Sequence, residues 1–196
     1  MMLEVICGSM FSGKTEELIR RLRRCRIAGQ SVVLLKPVID KRSVCEAKSH
    51  DGNTFEAVEV TNGLDILKAS ANVQVVGIDE AQFLPEDAIQ AIIDLSRIYE
   101  KRVIVSGLDM DYKGRPFGIM PVLLAVADEI TKLHAVCEDC KQNASVSYRV
   151  SKEQEQVVIG AKDKYVALCW KCAIKRDASK LGVYSGSDVL NSGKKI

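Results

Sequence analysis

The plainest chemistry in the chain lies in Gly8 to Thr15, GSMFSGKT, which fits the phosphate-loop pattern G-x-x-x-x-G-K-[ST] in full. Gly8 and Gly13 allow the backbone to curl, so that the N–H groups of Ser9, Met10, Phe11 and Ser12 turn toward an anion. Lys14 is spaced to reach β- and γ-phosphates, and the Thr15 hydroxyl to coordinate Mg²⁺. The implied ligand is a nucleoside triphosphate such as ATP. A second acidic group, Asp79-Glu80, closes the apolar run from Val73 to Ile78. A strand ending there would hold the Asp79 carboxylate beside the phosphate loop, where it binds Mg²⁺ directly or through water. Glu80 could take a proton from an attacking hydroxyl or water.

A third set is cysteine. Cys137-x2-Cys140 and Cys169-x2-Cys172 form two knuckles, and four thiolates suit tetrahedral Zn²⁺ with bonds of about 2.3 Å. Such a set leaves no open coordination position, so the expected role is structural. A redox dithiol is the rival, disfavoured because two pairs flank a β-prone insert. That insert, pinned at its base, could be a lid over a site or a protein-binding ribbon. Cys7, Cys25 and Cys45 are expected to be reduced thiols or small core residues.

The elements that must position these groups follow from periodicity. Leu3 to Cys7 reads as a strand feeding the loop. From Thr15 to Ala28 apolar residues at Leu18, Ile19, Leu22, Cys25 and optionally Ile27 make a helical stripe, with Gly29 as a stop. The arginines between them, Arg20, Arg21, Arg23, Arg24 and Arg26, read as a solvated face or subunit contact ahead of a nucleic-acid patch. Ser31 to Leu35 is a strand, Val38 to Asn53 a polar loop, Phe55 to Val60 an additional strand and Leu64 to Ala69 a short helix. Pro85 to Glu100 is helical, Val103 to Leu108 a buried strand and Met110 to Gly118 a loop. Tyr112 and Phe117 in that loop are core anchors or a platform for a flat ring, with anchors preferred on composition. Pro121 to Ala127 reads as helix and Glu129 to Ala135 as a last core strand.

Strands alternating with helices predict an α/β fold, a P-loop (RecA-like), mainly parallel sheet with flanking helices. The expected division is a nucleotide-binding domain over 1–135, a zinc-binding lobe over 136–175 and a disordered polar tail over 176–196. Apolar content of 47 % across 196 residues suits such a core, and a formal net charge of +2 gives no argument for a polyanionic partner. No apolar run is long enough to cross a membrane, and the N-terminus has no signal-peptide pattern, so a cytoplasmic protein is expected. Two rival functions are a nucleic-acid-dependent ATPase and a non-catalytic nucleotide sensor. A GTPase is disfavoured by the lack of an N-K-x-D motif.

Taken together, GSMFSGKT, GIDEAQF at Gly77–Phe83, LDMDYKGRPFG at Leu108–Gly118, the Cys₄ set and VVIGAKDKY at Val157–Tyr165 resemble the zinc-containing thymidine kinase family. The resemblance runs from about Leu3 to Cys172. It implies transfer of the ATP γ-phosphate to the 5′-hydroxyl of thymidine or deoxyuridine, with Glu80 as general base and Asp79 as magnesium carboxylate. It places Asp40, Arg42 and Gln82 with the nucleotide. It places Met10, Phe83, Leu108, Tyr112, Phe117 and Ser147 at the thymine pocket, replacing the anchor reading of the aromatics. Val158, Ile159, Gly160 and Tyr165 fall on the lasso that covers the nucleoside. The resemblance further implies a homotetramer, feedback inhibition by thymidine triphosphate and no nucleic-acid or membrane partner. Tyr112 stands where this family usually has Phe, and Ser147 where it usually has Thr.

Overall fold

The protein is described by a computed structural model over residues 2–38, 46–48, 54–151 and 164–182. Six strands form one sheet: β1 (Leu3–Gly8), β2 (Val32–Pro37), β5 (Val58–Val60), β6 (Val75–Ile78), β7 (Arg102–Gly107) and β8 (Glu129–Leu133). Their order is β5-β2-β6-β7-β1-β8, and every pairing in it is parallel. β1 lies between β7 and β8, with Val5 opposite both Val105 and Ile130. Strands buried on both faces need near-continuous apolar runs, which LEVIC, VVGI and VIV supply.

The helices cover both faces. On one side α1 (Lys14–Ile27) lays Leu18, Ile19, Leu22 and Cys25 on Ile6, Leu34, Val75 and Ile104. On the other, α2 (Gly63–Ala69), α3 (Asp87–Arg97) and α4 (Met120–Val126) bury Ile66, Ile92, Leu95, Met120 and Leu123 against Leu3, Val5, Val76, Ile78, Val103 and Val105. Ile27 faces solvent, so the α1 stripe ends at Cys25.

Arg20, Arg21 and Arg26 of α1 are engaged in structural contacts. Arg20 and Arg21 bind Glu17, and Arg21 with Arg102 clasps the buried Glu4 carboxylate at 2.6 Å each. Arg26 lies 3.9 Å from the Phe55 ring centre. The basic run is in large part a helix face tied to its own protein.

Three expectations change in detail. Glu46–Lys48 (β3), inside the stretch read as loop, pairs antiparallel with Thr54–Glu56 (β4). Its sequence, Glu-Ala-Lys, carries no apolar alternation to reveal it. The strand expected over Phe55 to Val60 divides at Ala57, since β5 instead joins β2 in parallel. The strand expected over Glu129 to Ala135 also divides: β8 stays in the sheet, and Ala135–Val136 (β9) pairs with Asn143–Ala144 (β10) in the lobe.

In the lobe, β11 (Val146–Arg149) and β12 (Tyr165–Leu168) form an antiparallel ribbon, followed by α5 (Trp170–Asp177) and a 3₁₀ turn over Ala178–Lys180. Residues 176–182, expected in the tail, therefore belong to the lobe. Leu181 is buried, and Gly182 N–H donates to the Lys113 carbonyl at 2.7 Å. α5 escaped the sequence reading because Lys171, Lys175 and Arg176 make it look polar, whereas Trp170, Cys172 and Ala173 face the lobe core.

Candidate functional site

At the end of β1 the chain can turn only through glycine. Gly8 has φ 143°, and a Cβ there would meet the Leu133 carbonyl oxygen at 2.2 Å. Gly13, in the left-handed region at φ 84°, then directs the chain into α1. It offers no side chain to cap the helix, so the first-turn N–H groups are left for an anion. Lys14 is buried and folds back to donate to the Ser9 carbonyl at 2.8 Å. Burial lowers its pKa, while Glu80, Asp79 and Asp109 oppose the shift. The Ser12 hydroxyl is buried without a hydrogen-bond partner among the described residues. An oxyanion in the loop would relieve both the buried ammonium and this orphaned hydroxyl, so the residues fit a polyphosphate.

β6 delivers Asp79 to the same place. Its carboxylate accepts from the Thr15 hydroxyl and from the Glu80 N–H, both at 3.0 Å. Burial first, and the Glu80 charge second, push the Asp79 carboxyl up to about 6. The Ser106 hydroxyl lies close enough to ease that charge, yet it has no hydrogen bond of sound geometry and stays unsatisfied. A hydroxyl, a buried carboxylate and an unpaired hydroxyl make a donor set that suits a hard divalent cation such as Mg²⁺.

Glu80 itself sits on a left-handed backbone (φ 54°, ψ 38°), a costly conformation for a residue with a side chain. The 3₁₀ turn that follows, Ala81–Phe83, brings Gln82 underneath it. Gln82 Nε2 donates to Glu80 Oε2 at 2.5 Å, and its Oε1 accepts from the Leu108 N–H at 2.9 Å. Gln82, expected at the nucleotide, is thus buried and ties Glu80 to the end of β7.

Several of the expected pocket residues contact one another, directly or through a third side chain. Phe83 and Phe117 meet edge-to-face with ring centres 5.6 Å apart. The Met10 N–H donates to the Ser147 hydroxyl at 2.9 Å, joining the phosphate loop to the lobe. Tyr112 and Tyr165 are linked by the buried Arg149, which lies against one ring and donates to the hydroxyl of the other. The sequence reading missed Arg149, because a lone arginine in Ser-Tyr-Arg-Val carries no spacing signal. It also missed Asp111, whose carboxylate accepts from the N–H groups of Lys113 and Arg115 and shapes the 110–118 loop. The D-x-K-G turn pattern could have pointed to it. Asp40, Arg42, Val158, Ile159 and Gly160 lie outside the described residues.

The four cysteines converge as their spacing required. One ligand atom from each of Cys137, Cys140, Cys169 and Cys172 lies within 4.8 Å of the others. Burial raises the Cys137 thiol, but backbone N–H groups of Cys140, Cys169 and Asp139 outweigh it and hold it down to about 6. Such N–H···S bonds favour the thiolate that a metal needs. The set could hold zinc.

Sheet, phosphate loop, acidic pair and cysteine lobe together define a P-loop protein with a four-cysteine appendage that could hold a metal. The chain belongs to the thymidine kinase family: the family model described as "Thymidine kinase" matches residues 1–173. It is 47 % identical over 182 residues to a thymidine kinase of Bacteroides fragilis, covering 91 % of each chain. It is 49 % identical over 171 residues to one of Porphyromonas gingivalis, covering 87 % of this chain and 83 % of the relative. Among solved structures, the replication initiator DnaA bound to AMPPCP and single-stranded DNA superposes with a TM-score of 0.40 at 13 % identity. That match covers 68 % of this chain and 40 % of the other, too distant a likeness to bear on function.

Proposed function

We propose that this chain transfers the γ-phosphate of ATP to the 5′-hydroxyl of thymidine, and of deoxyuridine, giving the monophosphate for DNA synthesis by pyrimidine salvage. The observation that carries the reading is the placement of Glu80. Its carboxylate is held by Gln82 on a strained backbone, one residue from the Asp79–Thr15 pair at the phosphate loop. Glu80 accepts the 5′-hydroxyl proton as that oxygen attacks the γ-phosphorus, and ADP departs with the electron pair of the broken bond. Lys14 and the loop N–H groups hold the phosphates in line, which is most of what this reaction asks of a protein. Thr15 and Asp79 would hold Mg²⁺, which would supply charge neutralisation to the phosphates.

Met10, Phe83, Leu108, Tyr112, Phe117, Ser147 and Tyr165 bind the thymidine base and sugar, together with Val158, Ile159 and Gly160. Asp40 and Arg42 act near the phosphates. Polar groups matched to a pyrimidine edge reject purines by leaving buried partners unpaired. Zn²⁺ on the four cysteines is structural and fixes the base of the segment between β11 and β12. The working protein is a cytoplasmic homotetramer inhibited by thymidine triphosphate. Among the described residues no helix is long and apolar enough to cross a membrane.

The test is turnover of labelled thymidine, deoxyuridine, deoxycytidine and deoxyadenosine with Mg-ATP. Monophosphate should form from the first two alone. ATP binding without phosphorylation of any nucleoside would defeat the reading, and DNA-stimulated hydrolysis would then be the next assay.

A further inference from the structure

Arg149 is the bulkiest fully buried side chain among the described residues, 2 % exposed, and no step of the phosphoryl transfer uses it. It lies on β11 directly opposite Tyr165 on β12. Its guanidinium carbon is 3.6 Å from the centre of the Tyr112 ring. Its Nε and Nη2 both donate to the Tyr165 hydroxyl, at 3.1 and 2.5 Å. Tyr112 comes from the 110–118 loop that follows β7 of the core sheet. Tyr165 comes from the ribbon of the cysteine lobe. One side chain therefore spans the junction at which the two halves of the proposed nucleoside pocket meet.

A buried guanidinium is a poor choice for filling space, since apolar side chains of similar volume are often neutral or stabilising in its place. What the planar fork can do, and an apolar chain cannot, is lie flat on one aromatic ring while donating along its edge to a second. That fixes the planes of two aromatic side chains relative to each other. Lysine keeps the charge but not this double geometry.

We propose that Arg149 is a positioning residue for nucleoside binding, holding Tyr112 and Tyr165 in register and so setting the KM for thymidine without entering the chemical step. The inference rests on the thymidine kinase reading. It is tested in the full chain with Arg149→Met, Arg149→Lys, Tyr165→Phe and the Arg149→Met/Tyr165→Phe pair, by steady-state kinetics and thermal melting. Arg149→Met should raise the thymidine KM about 30-fold. That factor corresponds to ~2 kcal/mol for a desolvated cation–π contact at 1.4 kcal/mol per tenfold. The kcat should stay within about threefold, with the KM for ATP and the melting temperature little changed. Arg149→Lys should fall between wild type and Arg149→Met. The double variant should be no worse than the worse single one, because both remove the same link.

Should Arg149→Met fail to fold, Arg149→Lys and Tyr165→Phe carry the same comparison. An unchanged thymidine KM in the variants of an active enzyme would overturn this inference alone. So would a fall in kcat at constant KM, a parallel rise in the KM for ATP, or a loss of activity that merely follows thermal stability. Absence of thymidine turnover in the wild type would overturn the proposed function, and this inference with it.

Discussion

The six-stranded sheet buries Leu3, Val5, Ile78, Val103 and Val105 under one helix layer and Ile6, Leu34, Val75 and Ile104 under the other, whereas the cysteine lobe has Ala135, Ala144, Ala167 and Ala173 among its central residues. Burying a Val, Leu or Ile side chain contributes about 1.5–3 kcal/mol, and an alanine methyl far less. The sheet can hold its shape by apolar burial, and the lobe has few such contacts beyond Val146, Tyr148, Leu168 and Leu181. Its remaining resource is the cysteine clip. The two regions also divide the chemistry. The sheet carries Lys14, Thr15, Asp79 and Glu80, while the lobe sets Ser147 against Met10 of the phosphate loop and Arg149 against Tyr112.

The largest effect expected from this difference follows metal removal. Chelation should melt the lobe in a transition separate from that of the sheet, because metal affinity in small Cys-bound domains supplies their folding free energy. Thymidine turnover should vanish. ADP binding should weaken only about 5- to 30-fold, the worth of two hydrogen bonds of about 0.5–1 kcal/mol each. Those bonds are Met10 N–H to Ser147 and Ser9 Oγ to the Ala144 carbonyl. Full thymidine turnover in metal-free protein, measured beside calorimetry, would break the comparison.

A smaller effect is expected inside the sheet domain. The Asp79 carboxyl is raised from 3.8 to about 6 by burial ahead of the Glu80 charge. A carboxyl raised on folding contributes stability that is complete below the unfolded value and is lost as pH climbs through the folded one. Metal-free wild type should therefore lose stability between about pH 4 and pH 6, on the order of 3 kcal/mol at 1.36 kcal/mol per pKa unit. Asp79→Asn should flatten that limb, leaving the metal-free variant the more stable at pH 7 and incompetent with Mg-ATP. Urea melts at both pH values check it, and equal pH dependence in the two proteins would refute it.

The smallest effect belongs to a site remote from both ligands. Asn62 caps α2 by accepting from the Asp65 N–H at 2.9 Å. Asn62→Ala should cost about 1 kcal/mol of sheet-domain stability. The lobe transition and thymidine KM should not move. A change in either would mean that the two regions are coupled through α2.

What could be foreseen in the residues follows the same divide. GSMFSGKT and the paired cysteines encode their geometry in spacing, so phosphate loop and cysteine cluster were legible before any fold was known. The buried strands were legible as apolar runs because parallel sheets demand them. The lobe was harder to read: β9 and β10 have two residues each, and α5 hides a narrow apolar face among lysines. Arg149 was invisible because its meaning lies in Tyr112 and Tyr165, which only the folded chain brings to it. The position of Gln82 in GIDEAQF gave no sign that its amide would join Glu80 to the Leu108 N–H.

The central claim, that Glu80 is the base for phosphoryl transfer to thymidine, is tested most directly by single-turnover kinetics of wild type and Glu80→Gln with Mg-ATP and labelled thymidine. The account predicts a 5′-monophosphate formed at least roughly 100-fold more slowly by the variant, as for loss of a general base, with thymidine still bound. An undiminished rate in Glu80→Gln would contradict it.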